Sequence, residues 1–137
     1  MMKNPFPFGL RLALLVSGVE ALLLALSSML TPTLVANLSG LPGKDLPTYQ
    51  QAGAAALGYS LMALLSLRAE NWEQIRLAVK SRFLVELFTA LGALYYVGLV
   101  GVVKPYLIFM LAVSTYLTIA LAYYIWDYSK QEGGTKK

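Results

Sequence analysis

The chain has 137 residues, of which 58% are hydrophobic and only 13% charged, and its net charge is +4. Soluble domains carry about 25% charged residues, and a soluble fold this short could not bury so much apolar surface. Cys and His are absent. That excludes disulfides, thiol chemistry, metal or haem ligation by these residues, and a histidine general base. The composition indicates one integral membrane domain, with lipid headgroups rather than nucleic acid facing its basic residues.

The first predicted helix covers about 9–34. Its apolar run, 12–30, is about 28 Å long at 1.5 Å per residue, which is enough to cross a bilayer core. The run is also longer than the apolar part of a signal peptide, so we expect a retained transmembrane helix. Pro32 is expected to bend or end this helix. Spacing places its polar residues on one face, which forms a seam: Ser17, Glu20, Ser27 and Thr31.

A loop over 35–46 precedes the second predicted helix, 47–68. Small residues dominate the first half of this helix, and Ala54 and Gly58 form a small-xxx-small pair. Such pairs let helix backbones approach closely in lipid. We expect this face to pack within the chain or to form a dimer contact.

A charged turn, Arg68–Glu86, separates two long apolar runs. Asn71 is a predicted helix cap, with Gln74 at the third helical position. The third predicted helix, 71–103, would be about 48 Å long, so it either projects from the bilayer or bends near 80–82.

The fourth predicted helix covers 105–128 and ends in an aromatic belt, and the polar tail 129–137 is expected to be mobile. With four transmembrane helices, both termini and the charged turn lie on one side. That side would hold nine basic residues against two, Lys44 and Lys104, on the other. The positive-inside rule therefore predicts cytoplasmic termini. The nine are Lys3, Arg11, Arg68, Arg76, Lys80, Arg82, Lys130, Lys136 and Lys137.

Glu20 is the outstanding candidate functional residue. It lies about 14 Å beyond Arg11 along the helix, near the middle of a bilayer, where a charged carboxylate costs several kcal/mol. It is expected to be protonated, paired or facing water. Counting inward along each helix predicts a central polar layer around it, with the Tyr59 hydroxyl as its preferred partner. The layer comprises Glu20, Tyr59, Ser60, Thr89 and Thr118. Two interpretations stay open, a neutral glutamate bonding helices together and a proton or substrate site.

Arg82 and Glu86 form a second candidate site. Their (i, i+4) spacing allows an ion pair, and their position about one turn inside the predicted interface favours an anchor for the third helix. Alternatively, Arg82 also binds an anionic ligand or a lipid phosphate.

The segments Arg11–Glu20 and Gly53–Arg68, the Pro-containing end of the first helix and the basic turn resemble the DoxX-like group of small bacterial membrane proteins with four helices. The resemblance covers most of the chain and implies an all-α, four-helix transmembrane bundle in the bacterial inner membrane. It implies an accessory membrane subunit, and it assigns no redox role to any residue here.

The leading functional hypothesis is a non-catalytic accessory subunit of a larger membrane complex. Small size, aromatic helix ends and the lack of cofactor ligands motivate it, and no cofactor is expected. Its partners would be membrane lipids and other membrane subunits. The alternative is a small-ligand or proton-coupled carrier with Glu20 as the buried site. An enzyme is disfavoured because no phosphate loop, nucleophile elbow or metalloprotease motif is present.

Overall fold

The computed structural model describes residues 6–39 and 46–134, and every regular element within these ranges is helical. This confirms the predicted all-α class. The helices, in chain order, are α1 (Phe8–Leu30), α2 (Pro32–Ser39), α3 (Leu46–Ser66), α4 (Trp72–Tyr95) and α5 (Pro105–Gly134). A π-helical turn, Tyr96–Val100, extends α4.

Three of the described helices are long and apolar enough to cross a membrane, namely Phe8–Leu30, Trp72–Val100 and Pro105–Gln131. Helix α3 is not among them. Its 21 residues match a bilayer-spanning length. However, Gln50, Gln51 and a run of alanines and glycines make its first half less apolar than the other helices.

Proline and glycine account for two departures from the predicted helix bounds. The first helix ends at Leu30 and a separate α2 begins at Pro32, because proline fits the first turn of a helix but not its interior. Part of the predicted loop is therefore helical, while its residues 40–45 lie outside the described ranges. The third helix stops before 103 because Gly101 adopts a left-handed conformation with φ of 73°, which glycine adopts at little cost.

Helix α5 extends past its predicted end at 128, because residues 129–134 continue it. Lys130 lies over the Trp126 ring at 3.6 Å, and Gln131 donates a hydrogen bond to Asp127. Both are contacts between successive turns of a helix, so they stabilise its end.

Helices α1 and α3 form a closely packed antiparallel pair. A Cβ added to Gly18 would lie 2.8 Å from the Leu64 side chain, and one added to Gly53 would lie 3.0 Å from the backbone oxygen of Ala25. The Ser60 hydroxyl donates a hydrogen bond of 2.8 Å to the backbone oxygen of Gly18. The face of α3 that packs inward is therefore the one with Gly53 and Ser60. The predicted packing face, with Ala54 and Gly58, is exposed.

Helices α4 and α5 form the second antiparallel pair. Asn71 caps α4 by accepting a hydrogen bond from the Gln74 backbone, as the sequence predicted. Trp72, at the start of α4, stacks on Tyr128 near the end of α5, with ring centroids 4.4 Å apart. Phe6 meets the same Tyr128 ring edge-on. The chain's first described residues, the α3–α4 turn and the last turns of α5 therefore lie at one end of the bundle, here called the termini end.

A buried apolar core joins α1, α4 and α5 at the termini end. Side chains in this cluster are fully or almost fully buried, and they come from Phe6 just before α1, from the first turns of α1 and α4, and from the middle of α5. Its members are Phe6, Leu10, Ala13, Leu14, Ile75, Val79, Leu117 and Leu121. The core fixes how the two helix pairs meet, and it ends where the polar residues begin.

Candidate functional site

A layer of buried polar side chains lies next to the apolar core, about one helical turn further from the termini end. Ser17 of α1, Arg82 and Glu86 of α4, and Ser114 of α5 are all buried, and Glu20 of α1 is 10% exposed. The layer residues of α1 and α4 follow the last core residue of their helix by three to seven positions, and Ser114 precedes Leu117 on the antiparallel α5 by three. The layer is therefore built by helical geometry.

Arg82 is the centre of this layer. Its Nη2 atom donates a hydrogen bond to Glu20 Oε2 over 2.6 Å and forms an ion pair with Glu86 Oε1. Its Nε atom donates to the Ser17 hydroxyl, and Nη2 also donates to the Ser17 backbone oxygen over 3.3 Å. One guanidinium thus binds two carboxylates and a serine, which is the arrangement that a buried arginine requires.

The arginine joins the two helix pairs. Among the described residues, no Cα atom of α1 lies within 8 Å of a Cα atom of α4. The long Arg82 side chain spans this gap and reaches Ser17 and Glu20. We define Glu20, Arg82 and Glu86 as the charged triad.

Glu86 is the deepest member of the triad, with a side chain that is 1% exposed. The Ser114 hydroxyl faces its carboxylate. Glu86 Oε1 and Ser114 Oγ nevertheless lack hydrogen bonds of good geometry among the described residues. The triad is therefore tied to α5 more weakly than to α1.

Two cavities meet at Glu20. The larger, about 590 Å³, lies between α1 and α5, and we call it the lateral groove. Its walls are mostly apolar and include Leu15, Val19, Leu23, Tyr106, Phe109 and Val113. The smaller, about 240 Å³, is lined by all four long helices, including Ala55, Tyr59, Thr89 and all three members of the triad. We call it the central cavity. Glu20 lines both, so it lies between the apolar groove and a cavity that contains the whole charged triad.

The predicted polar layer is only partly assembled. Glu20, Tyr59 and Thr89 line the central cavity together. The carboxylate of Glu20 bonds to Arg82, however, and not to Tyr59. Thr89 donates to the Val85 backbone oxygen and Thr118 to that of Ser114, within their own helices. Ser60 instead donates its hydrogen bond to the Gly18 backbone oxygen in the α1–α3 contact.

The predicted Arg82–Glu86 ion pair lies inside the bundle, and its position relative to a membrane interface stays a prediction. The ion pair is present, and its side chains are only 8% and 1% exposed and face the bundle. Helix α4 begins at Trp72, so Arg82 lies about 15 Å along it. Its hydrogen bond to Glu20 puts the two side chains at one level of the bundle.

Ser17 and Ser114 belong to the site, although neither was predicted as a site residue. The sequence did contain a signal for both. Ser17 is on the predicted polar seam of the first helix, three residues before Glu20, and Ser114 lies one turn before Thr118. A polar residue one turn from a buried candidate shares its face and its depth.

The chain was compared with known families, proteins and structures. No protein-family model, no curated protein and no solved structure matches the chain.

Proposed function

We propose that this chain is a multi-pass membrane protein that binds a small membrane-soluble molecule at Glu20 and exchanges it against a proton. The observation that carries the proposal is that Glu20 lines both cavities while it is paired with a buried arginine. An ionisable residue inside a membrane bundle beside a cavity is typical of substrate and proton pathways.

The proposed topology has four helices in the membrane, α1, α3, α4 and α5. Helix α3 joins the three candidate spans because it packs along α1 from Gly53 to Leu64. Among the described basic residues, Arg11, Arg68, Arg76 and Lys130 lie in segments at or next to the termini end, whereas Lys104 follows the far end of α4, so we place the termini end in the cytoplasm. The DoxX-like resemblance supports a bacterial inner membrane as the location.

The charge of the triad supports proton exchange. One guanidinium faces two carboxylates, so the triad carries a net charge of −1 when both are ionised. An unbalanced buried charge is costly. One proton restores neutrality, and Glu20 is the carboxylate that can exchange it because Glu86 does not line the lateral groove.

The non-catalytic accessory subunit remains a second candidate, because α3 has a small-residue face free for another helix. A Cβ added to Gly58 would meet no atom within 4 Å, and Ala54 is exposed on the same face. Small residues are typical of helix contacts in lipid. Co-migration with other membrane proteins in mild detergent would favour this function over the carrier.

The carrier proposal is tested by ligand-dependent thermal stability. The purified chain in mild neutral detergent is heated with cationic, anionic and neutral membrane-soluble compounds, while tryptophan fluorescence reports unfolding. At least one compound is expected to raise the Tm of the wild type by several degrees at saturating concentration, because a ligand that binds the folded state stabilises it. The shift should be lost in Glu20→Gln. This variant keeps the Arg82–Glu86 pair and a neutral site, so it is expected to fold.

Glu73→Gln is the matched control. It makes the same chemical change at a carboxylate on α4 whose side chain is 63% exposed. The ligand should raise the Tm of this variant by as much as it raises that of the wild type. If no compound shifts the wild type, or if Glu20→Gln responds equally, the carrier proposal is wrong.

A further inference from the structure

Among the described residues, the polar groups that line the lateral groove are one carboxylate and two hydroxyls, and none of them is basic. The groove wall contains one ionisable carboxylate, Glu20, together with the hydroxyls of Ser27 and Tyr106. Arg82 does not line this groove and faces the central cavity instead. A molecule in the groove therefore contacts a carboxylate and hydroxyl groups, and it does not contact the guanidinium.

The rest of the groove suits an apolar body. Leu15, Val19 and Leu23 of α1 face Val113 of α5 across it, and its volume of about 590 Å³ is in the range of small-molecule sites. Two aromatic rings, Tyr106 and Phe109, are also in the wall. Aromatic faces attract cations, and more strongly when water is excluded.

Charge complementarity then selects the occupant. The charged side chains that line the two cavities are Glu20, Arg82 and Glu86, and their sum is −1 when both carboxylates are ionised. We infer that the lateral groove binds a lipophilic cation, a molecule whose positive nitrogen or phosphorus centre carries apolar substituents. The cation and a proton compete for Glu20. This inference rests on the proposed function and names its ligand class.

The surroundings of Glu20 define the expected pH dependence. The charged and titratable groups that face it are Arg82 and Glu86 from α4, Tyr59 from α3 and Tyr106 from α5. Of the two carboxylates, Glu20 alone lines the groove. Protonation of Glu20 removes the charge that attracts a cation, so cation binding should weaken as the pH falls.

The test compares two probes of nearly equal size and shape and opposite charge, tetraphenylphosphonium and tetraphenylborate. Equilibrium dialysis measures their binding to the full chain in neutral detergent, in mildly alkaline and mildly acidic buffer. We expect saturable phosphonium binding to the wild type that weakens in acid. In Glu20→Gln the affinity should fall by at least about tenfold and lose its pH dependence, since loss of one partner of a buried charge pair has effects of this size.

Two further variants keep the result interpretable. Glu73→Gln should bind phosphonium as the wild type does. Val113→Trp fills the groove from α5 and replaces no member of the triad, and it should also abolish phosphonium binding. If Glu20→Gln fails to fold, this groove variant still tests the inference, and unchanged binding to it would overturn the proposed location.

Two outcomes would overturn the ligand class. One is borate binding as tight as phosphonium binding, with neither affected by Glu20→Gln. The other is no saturable phosphonium binding while the thermal panel finds a neutral or anionic ligand that depends on Glu20, which would leave the carrier proposal intact. If the panel also finds no Glu20-dependent ligand, both are wrong.

Discussion

Replacing Arg82 with methionine is expected to lower the free energy of unfolding by about 3–5 kcal/mol, the usual cost of removing one partner from a buried ion pair. Methionine keeps much of the side-chain length and removes the charge and all the donors. Glu20, Glu86 and Ser17 would lose their shared partner at once. Denaturation of the purified chain in mixed micelles measures the effect.

Arg76→Met is the matched control for this prediction. Arg76 is on the same helix and pairs with Glu73, but its side chain is 47% exposed. An exposed pair contributes at most about 1 kcal/mol. Equal losses in the two variants would mean that Arg82 does not hold the helix pairs together.

The second large effect concerns two glycines of α3 that the structure distinguishes. A Cβ at Gly53 would lie 2.8 Å from Met29 Cγ and 3.0 Å from the Ala25 backbone oxygen, whereas a Cβ at Gly58 would meet nothing. We expect Gly53→Ala to destabilise the chain by about 1–3 kcal/mol through overpacking. Gly58→Ala should stabilise it by up to about 1 kcal/mol, because alanine is the better helix former.

Both variants can be measured in the same micelle denaturation experiment, and each serves as the other's control because the substitution is identical. If Gly58→Ala destabilises the chain and Gly53→Ala is tolerated, the assignment of the Gly53 face of α3 as the inward face is wrong. That result would also restore the packing predicted from Ala54 and Gly58.

Depth along a helix was the criterion for both the correct prediction of Glu20 and the missed prediction of its partner Arg82. A single carboxylate in a long apolar run has no solvent to face, so its depth alone marks it as buried. The depth of a residue on α4 depends on where that helix enters the bilayer. If the helix projects beyond the bilayer, its charged residues do not mark the point of entry. Arg82 was therefore predicted at the interface, although it lies at the same level of the bundle as Glu20. Tyr59 was chosen as a partner by depth, yet depth does not say which helix supplies the nearest donor.

The rotation of α3 could not be predicted because small residues occur on more than one of its faces. Gly53 and Ser60 are on the packed face, while Ala54 and Gly58 are exposed. Hydrophobic periodicity fixes the rotation of a helix between water and protein. In a membrane both the lipid-facing side and the protein-facing side of a helix are apolar, so the hydrophobic pattern does not indicate which face is buried. Helix positions, by contrast, follow from apolar runs and from Pro32, Asn71 and Pro105, whose effects are local.

A double-mutant cycle between Glu20→Gln and Arg82→Met tests most directly whether these two side chains form the centre of the molecule. The free energy of unfolding is measured for the wild type, both single variants and the double variant. Residues in direct contact within one buried network couple by about 0.5–3 kcal/mol. Arg82→Met should therefore cost clearly less when Glu20 is already glutamine, because Glu86 is then the one carboxylate that loses its charged partner. Effects that add to within about 0.5 kcal/mol would contradict the Glu20–Arg82 pair and the site built on it.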